Sequence, residues 1–402
     1  MNSVFVIATS SISAIGDQQE CQQIDDSQAN LVDVTIAAEN KSALYFPINK
    51  NKLDKSFDEM ILLLSTQIEK ALKQSNLTAK ELSETVLFLG STSLDISCVK
   101  PDSSESIWLS QTDKLSQTLT KLFGLHTIHY TFNTACTSSA NALLYAAQLI
   151  KHNKIKHAIV IGCEFYNQLS VSGFDSLDLF STTGVKPFSN TRDGLILGEG
   201  VGVLVLSTQQ NSATIFEVLG GYSSCDDFSL TITDEEGEHI TQVVEKALSN
   251  TNIRSIDIDL IKIHGTASEK SDLAEYNAIA GLFNTKKVKH TDAETLSVEV
   301  NVHPSIIGFK SFLGHTLGAC GVLELAILED VFQKEILPRC HYQLESPQTL
   351  LYPFLQSAKA ITSSKYMLLN HFGFGGNNAA IILKNIKVVN PISSEFITEG
   401  NI

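Results

Sequence analysis

Runs of Val, Ile and Leu long enough to be buried strands alternate with helical stretches along most of this 402-residue chain. Strand-like runs include Val86–Leu89, His157–Gly162, Val201–Leu206, Leu260–Ile263 and Ala379–Leu383, and helical patterns include Phe57–Gln74, Ser138–His152 and Gly237–Leu248. That alternation predicts an α/β protein whose sheets are covered on both faces. The length exceeds what one small core needs, so two or three domains are expected. The opening VFVIATSSISAIG has a faint echo in TIFEVLGGYSSCDDF from Thr214 onward, and the polar, turn-like Gln209–Ser212 stretch precedes the echo. A division into residues 1–208 and 209–402 follows as an expectation.

Composition narrows the function classes. A net charge of −15 argues against general nucleic-acid binding, which needs a basic surface. No run of about 18 apolar residues predicts a transmembrane helix. The apolar start lacks a basic leader and reads as a first strand ending before Gly16, so a cytoplasmic protein is expected. Eight prolines and no biased tract argue against long linkers, although 391–402 reads as a loose tail. The seven cysteines, Cys21, Cys98, Cys136, Cys163, Cys225, Cys320 and Cys340, are scattered and form no CxxC pair. Neither a metal site nor a disulfide framework is expected from them, and most read as small buried residues.

Four segments combine chemistry-bearing residues with a suitable local setting. In TFNTACTSSANAL, Cys136 lies at a strand-to-helix turn, where helix N–H groups favour a thiolate. Read alone, it fits a buried packing cysteine, capped by Thr137 and Ser138, better. In KIHGTASEKSDLAEYNAI, His264 follows a strand and a helix starts near Ser271 or Asp272, with Glu275 in its first turns. In FKSFLGHTLGACGVLELA, His315 sits before a Gly/Ala-rich helix start, five residues after Lys310. Either histidine alone could be structural. In LNHFGFGGNNAA, Phe372 and Phe374 alternate with glycines, as in a gate over an apolar pocket or an ordinary turn. A fifth segment, VKPFSNTRDGLILGEGVGVLVL, reads as scaffolding.

Together and in this order, these segments resemble the β-ketoacyl-acyl carrier protein synthases of the thiolase-like superfamily. TACTSSANAL is similar to the family's nucleophile segment, HGTASEKSDLAE to its HGT…D..E segment and KSFLGHTLGACG to its K...GH..GA.G segment. NHFGFGGNN resembles NSFGFGGTN, and KPFSNTRDGLILGEGVG resembles RPFD..RDGF..GEGAG. The resemblance implies a thiolase-like duplicated αβαβα layered sandwich, with the cysteine in its first half and both histidines in its second.

It also implies decarboxylative Claisen condensation with malonyl-acyl carrier protein, in fatty acid, polyketide or polyene biosynthesis. Cys136 would take the acyl group from the carrier's phosphopantetheine arm, with no cofactor of its own. The N–H groups of Cys136 and Phe372 would form the oxyanion hole. His264 and His315 would bind the malonyl thioester carbonyl. Lys310, paired with Glu275, would orient the site, Phe372 would gate it and Phe374 would support that loop. Arg192, ahead of Lys151, Lys154 and Lys156, is the first choice for a carrier contact. The expected partners are an acyl carrier protein and a second subunit, in a homodimer or in a heterodimer with a related ketosynthase.

Departures are Ser268 for the usual Thr, Gly308-Phe309 before the lysine, His371 for Ser and Asn377 for Thr. They place the chain nearest the stand-alone subunits of bacterial polyene and aryl polyene clusters. A chain-length-factor-like partner that shapes the tunnel of an active ketosynthase is the alternative, disfavoured by the presence of Cys136. A coenzyme A thiolase would need a second cysteine in the C-terminal glycine loop, and none is there.

Overall fold

The computed structural model describes residues 1–17, 24, 29–36, 41–98, 113–231, 233–283, 286–290, 297–301, 303–339 and 363–388. Cys21, Cys340 and the tail expected at 391–402 lie outside the described residues. Ten strands form the path of the main sheet: β1 (Phe5–Ser13), β2 (Val86–Gly90), β3 (His129–Phe132), β4 (His157–Glu164), β5 (Gly200–Ser207), β6 (Phe216–Cys225), β7 (Leu260–Lys262), β8 (Ser305–Ile307), β9 (Tyr366–Gly373) and β10 (Asn377–Asn385). Their order across the sheet is β8-β7-β9-β10-β6-β1-β5-β4-β2-β3.

From the centre outward, the first five strands run 1-5-4-2-3 and the last five 6-10-9-7-8, so one order occurs twice. The directions repeat too. β5 pairs antiparallel with β1 and β4, while β2 pairs parallel with β4 and β3. β10 pairs antiparallel with β6 and β9, while β7 pairs parallel with β9 and β8. Both central strands carry a register shift, between Val6 and Ala8 in β1 and between Val218 and Gly220 in β6. The faint echo in the sequence coincides with these two strands. They meet at a single pair, Phe5 opposite Glu217.

Six helices complete the repeat: α1 (Phe57–Ser75), α2 (Lys114–Leu122), α3 (Ser138–Lys151), α4 (Glu238–Thr251), α5 (Glu269–Phe283) and α6 (Cys320–Lys334). α1 starts from a capping box in which Ser56 and Glu59 satisfy each other's backbone N–H, and it ends at Asn76 in the left-handed region. Its buried stripe, Met60, Leu64, Ile68 and Ala71, recurs at helical spacing and packs with Leu115 and Leu119 of α2 on one face of the first half-sheet. α4 and α5 cover the second half-sheet through Val243, Val244, Ala247, Ile279 and Phe283.

α3 and α6 fill the space between the half-sheets, sharing one core with Val160 and Leu204 from one side and Leu369 and Ile381 from the other. The layers are therefore αβαβα. Alternate residues of β4 enter different cores, Val160 the central one and Ile159 and Ile161 the outer one, which explains its unbroken apolar run. Where α3 and α6 cross, a Cβ on Gly321 would lie 2.3 Å from the Ala140 nitrogen, so the close approach requires glycine. α6 is buried from Cys320 to Phe332. Among the described residues no helix is long and apolar enough to cross a membrane.

Candidate active site

Each chemical side chain sits just past the carboxyl end of a strand, or on the helix that follows it. Cys136 lies between β3 and α3, and the preceding Ala135 adopts φ 51°, a left-handed conformation that costs a non-glycine residue free energy. His264 follows β7. His315 follows the short helix Lys310–Leu313 after β8 and is clamped by the strand Leu197–Gly198: its N–H donates to the Ile196 carbonyl (2.7 Å) and its carbonyl accepts from Gly198 (3.1 Å). Two loops that lead into helices from opposite halves thus bring a thiol and an imidazole together.

His315 Nε2 stands 3.1 Å from Cys136 Sγ, and the His264 and His315 rings meet edge to face with centroids 5.3 Å apart. They line a cleft of about 350 Å³, with Phe372, Phe374 and Arg192 also on its wall. A Cβ on Gly373 would lie 3.0 Å from the Cys136 nitrogen, so β9 comes close to the nucleophile turn.

The helix terminus was expected to lower the thiol's pKa. Burial pushes Cys136 the other way, to about 12, with Cys320 adding to the rise while Lys310 and the Phe374 N–H oppose it. Burial likewise holds the His264 and His315 imidazoles well below their ordinary value, reinforced by Lys310. The resting site is a neutral thiol beside neutral imidazoles. A thiol in that state attacks only as its proton leaves, and His315 Nε2 is in reach to take it.

The expected Lys310–Glu275 pair is replaced. Lys310 Nζ donates to Glu324 Oε1 (2.8 Å) on α6, and Glu275 acts on Lys310 through its charge alone. Glu275 instead accepts from the His264 and Gly265 N–H groups (2.8 and 2.9 Å) and from Asn370 Nδ2 (3.1 Å), fixing the turn that presents His264. Asp272 supports the same turn through Ala267 (3.0 Å) and ties it to Phe188 (2.7 Å). α5 begins at Glu269, two residues sooner than expected.

The two phenylalanines lie in different settings. Phe372 lies inside the ladder of β9 opposite Asn378, is buried and packs edge-on to His264 at 5.7 Å. β9 ends at Gly373, so Phe374 opens the turn beyond it, and its backbone N–H lies near enough to the Cys136 thiol to oppose the rise in its pKa. Half-buried Phe374 stacks on Phe174 at 5.4 Å, and Asn377 Nδ2 closes the turn onto the Phe374 carbonyl (2.9 Å).

Arg192 reaches the cleft wall half-buried, with Nη1 on the Ser189 carbonyl (2.9 Å). Lys151 Nζ is held by the Leu219 carbonyl (2.9 Å). The segment read as scaffolding contains Glu199, fully buried, which accepts from Lys55, Ile48 and Tyr166. Of the described cysteines, Cys136, Cys163 and Cys320 are buried, Cys98 is half-buried and Cys225 is exposed.

Sequence reasoning missed four buried groups behind the nucleophile: Glu164, Lys262, Cys320 and Glu324. Glu164 accepts from the backbone of Thr92 (3.0 Å), Ser93 (3.0 Å) and Gly318 (3.0 Å), joining the first half to the His315 loop. A lone charge inside an apolar run, such as Lys262 in LIKI or Glu324 in CGVLELAIL, was the available signal. Among the described residues no group of three or more His, Cys, Asp or Glu side chains is placed to hold a metal ion.

Residues 9–212 match the family described as "Beta-ketoacyl synthase, N-terminal domain", and residues 215–343 match "Beta-ketoacyl synthase, C-terminal domain". The chain is 29% identical over 370 residues to "Probable polyketide synthase 32" of Dictyostelium discoideum, a match covering 86% of this chain and 12% of that protein. It is 29% identical over 264 residues to "3-oxoacyl-[acyl-carrier-protein] synthase 2" of Staphylococcus aureus, covering 62% of each. The fold is similar to that of a chain in the structure "Ketosynthase (ApeO) in Complex with its Chain Length Factor (ApeC) from Xenorhabdus doucetiae", with TM-score 0.74, 20% identity and coverage of 96% of this chain and 98% of that one. It is also similar to the structure "AntDE:AntF (apo): type II PKS acyl-carrier protein in complex with its ketosynthase bound to the hexaketide", with TM-score 0.78, 19% identity and coverage of 96% and 99%.

Proposed function

The chain belongs to the β-ketoacyl synthase family, and from that premise we propose that it is a condensing enzyme acting on carrier-bound acyl and malonyl thioesters. The observation that carries the reading is His315 Nε2 at 3.1 Å from Cys136 Sγ, on the wall of a cleft shared with His264.

In the first half-reaction Cys136 Sγ attacks the acyl thioester carbonyl. The new S–C bond replaces the bond to the carrier's phosphopantetheine sulfur, and the thiol proton passes through His315 to that leaving sulfur. The N–H of Phe374, which lies near Sγ, and the N–H of Cys136 receive the oxyanion. In the second, malonyl-carrier loses CO2, and its electron pair forms an enolate held by the neutral imidazoles of His264 and His315. The enolate carbon attacks the acyl group, and the Cys136 S–C bond breaks. One proton is taken up as the thiol re-forms, which balances the carboxylate lost. Lys310 and Glu275 position this machinery through Glu324 and the His264 turn.

The partners in this reading are an acyl carrier protein, with Arg192 at the cleft mouth as its contact, and a second subunit of the same family. The relatives ApeO and AntDE were solved with a chain length factor and with a carrier protein, respectively. The phosphopantetheine arm arrives on the carrier as substrate, and the chain needs no cofactor of its own.

The test is intact-protein mass spectrometry after mixing the chain with acyl-carrier and malonyl-carrier protein, alone and with a co-encoded family subunit. An acyl adduct on Cys136 that turns over to a β-ketoacyl-carrier two carbons longer, absent in Cys136→Ala, supports the reading. An adduct only on the partner's cysteine overturns it and makes this chain the tunnel-shaping subunit.

A further inference from the structure

Behind Cys136 the described structure buries two lysines against one carboxylate. Lys262 and Lys310, each at most 1% exposed, hold opposite oxygens of Glu324: Lys262 Nζ reaches Oε2 at 2.6 Å and Lys310 Nζ reaches Oε1 at 2.8 Å. Lys262 has two further acceptors, the Asn370 carbonyl at 2.8 Å and His371 Nδ1 at 3.4 Å. Three acceptors around one Nζ match the three N–H bonds of an ammonium. Cys320 closes the cluster, with Sγ 3.1 Å from the Cys136 carbonyl and 3.8 Å from His371 Nδ1. His371 is fully buried, and its Nε2 has no hydrogen-bond partner.

We propose that Lys262 is a positioning residue for this cleft, whose ammonium shares Glu324 with Lys310, leaves one positive charge uncompensated behind the Cys136 thiol, and fixes His371 as the Nε2–H tautomer. An ammonium must donate to Nδ1, so the ring proton resides on Nε2. A single Lys310–Glu324 pair would be neutral; the second lysine makes the cluster cationic. That field favours any negative charge that forms nearby, first the thiolate and then the oxyanion. It also disfavours protonation of all three imidazoles, which burial alone already resists.

The groups facing Lys262 come from every element around it. They are Glu324 and Cys320 on α6, Lys310 on the short helix, Glu275 on α5, His371 on β9, and His264 and His315 on the loops, while Cys136 itself faces Lys310, Cys320 and Glu164. Burial raises Glu275, and Lys262 counters that rise. Of the two carboxylates only Glu324 is held below its ordinary value, by the two lysines against its own burial, and burial lowers Lys262 as well, with Glu324 opposing the fall.

The inference rests on reading Cys136 as the acyl acceptor, but its test needs no carrier protein, so failure of condensation and failure of this proposal are told apart. The rate of Cys136 alkylation by iodoacetamide is measured by peptide mass mapping from pH 6 to 9, for the parent and for Lys262→Met. The expected result is a rate roughly tenfold lower at each pH, one unit of thiol pKa. A folded variant whose profile superimposes on the parent's overturns the proposal. If Lys262→Met does not fold, nitrogen-15 histidine spectra of the parent decide. His371, identified by its proximity to Ala379 across the strand pair, must remain neutral at pH 5 with its proton on Nε2. An imidazolium or an Nδ1–H ring there overturns the assignment.

Discussion

The two half-sheets have the same strand order, yet their equivalent junctions differ in chemistry. The loop from β3 into α3 carries Cys136, while its counterpart from β8 into α6 carries His315. Because α3 and α6 pack together between the half-sheets, the two junctions face each other, and each half supplies what the other lacks. The ends of the fourth strands show the same exchange. β4 ends in Glu164, which holds the Gly318 N–H beside His315. Its counterpart β9 ends in Gly373, whose missing side chain makes room for Cys136. Duplication fixes the geometry, and divergence at equivalent positions turns a symmetric contact into a nucleophile with a proton acceptor.

That division can be broken most completely at the first junction. Cys136→Ala should abolish acyl loading and condensation, read by intact mass and by product formation. Replacing His264, at the second half's strand end, should separate the half-reactions: His264→Ala should lower malonyl decarboxylation and condensation by roughly 10²–10⁴-fold while loading of Cys136 persists. Loss of loading together with condensation would show that the halves do not divide the work in this way.

A third test sharpens the contrast through pH. Burial raises the Asp272 carboxyl to about 7. A folded pKa above the unfolded one contributes stability that is complete below about pH 4 and is lost as pH rises through about 7. Denaturant unfolding of the parent between those values should therefore fall by up to a few kcal/mol more than that of Asp272→Asn. Equal slopes would remove Asp272 as a stored strain in the second half. The smallest effect lies at the seam. Gly321→Ala places a methyl against the Ala140 backbone and should cost about 1–3 kcal/mol in the same assay.

Much of this was legible in the chain. Doubly buried strands announce themselves as unbroken Val/Ile/Leu runs, and the helical pattern read at Phe57–Gln74 places α1 within a residue. The motif residues Cys136, His264 and His315 converge as the resemblance implied. What stayed hidden depends on where elements end and how they stack. Phe372 and Phe374 have the same glycine-spaced surroundings in sequence, and only the last residue of β9 decides which of them lies in the ladder and which in the turn beyond. The partner of Lys310 is 14 residues away on a helix packed over it, so proximity to Glu275 in the motif order was no guide. The helix-terminus argument for a lowered thiol pKa failed because it took no account of how deeply Cys136 is covered.

The central helix layer also bears on how the chain is made. During synthesis α3 emerges long before α6, and the central-layer face of the first half waits bare while roughly 180 residues are added. At ordinary ribosomal speeds that interval is on the order of ten to forty seconds. Once made, Leu143, Ala147, Val160 and Leu204 lack the α6 residues that share their core. A chain truncated before α6 should therefore be recovered in aggregates.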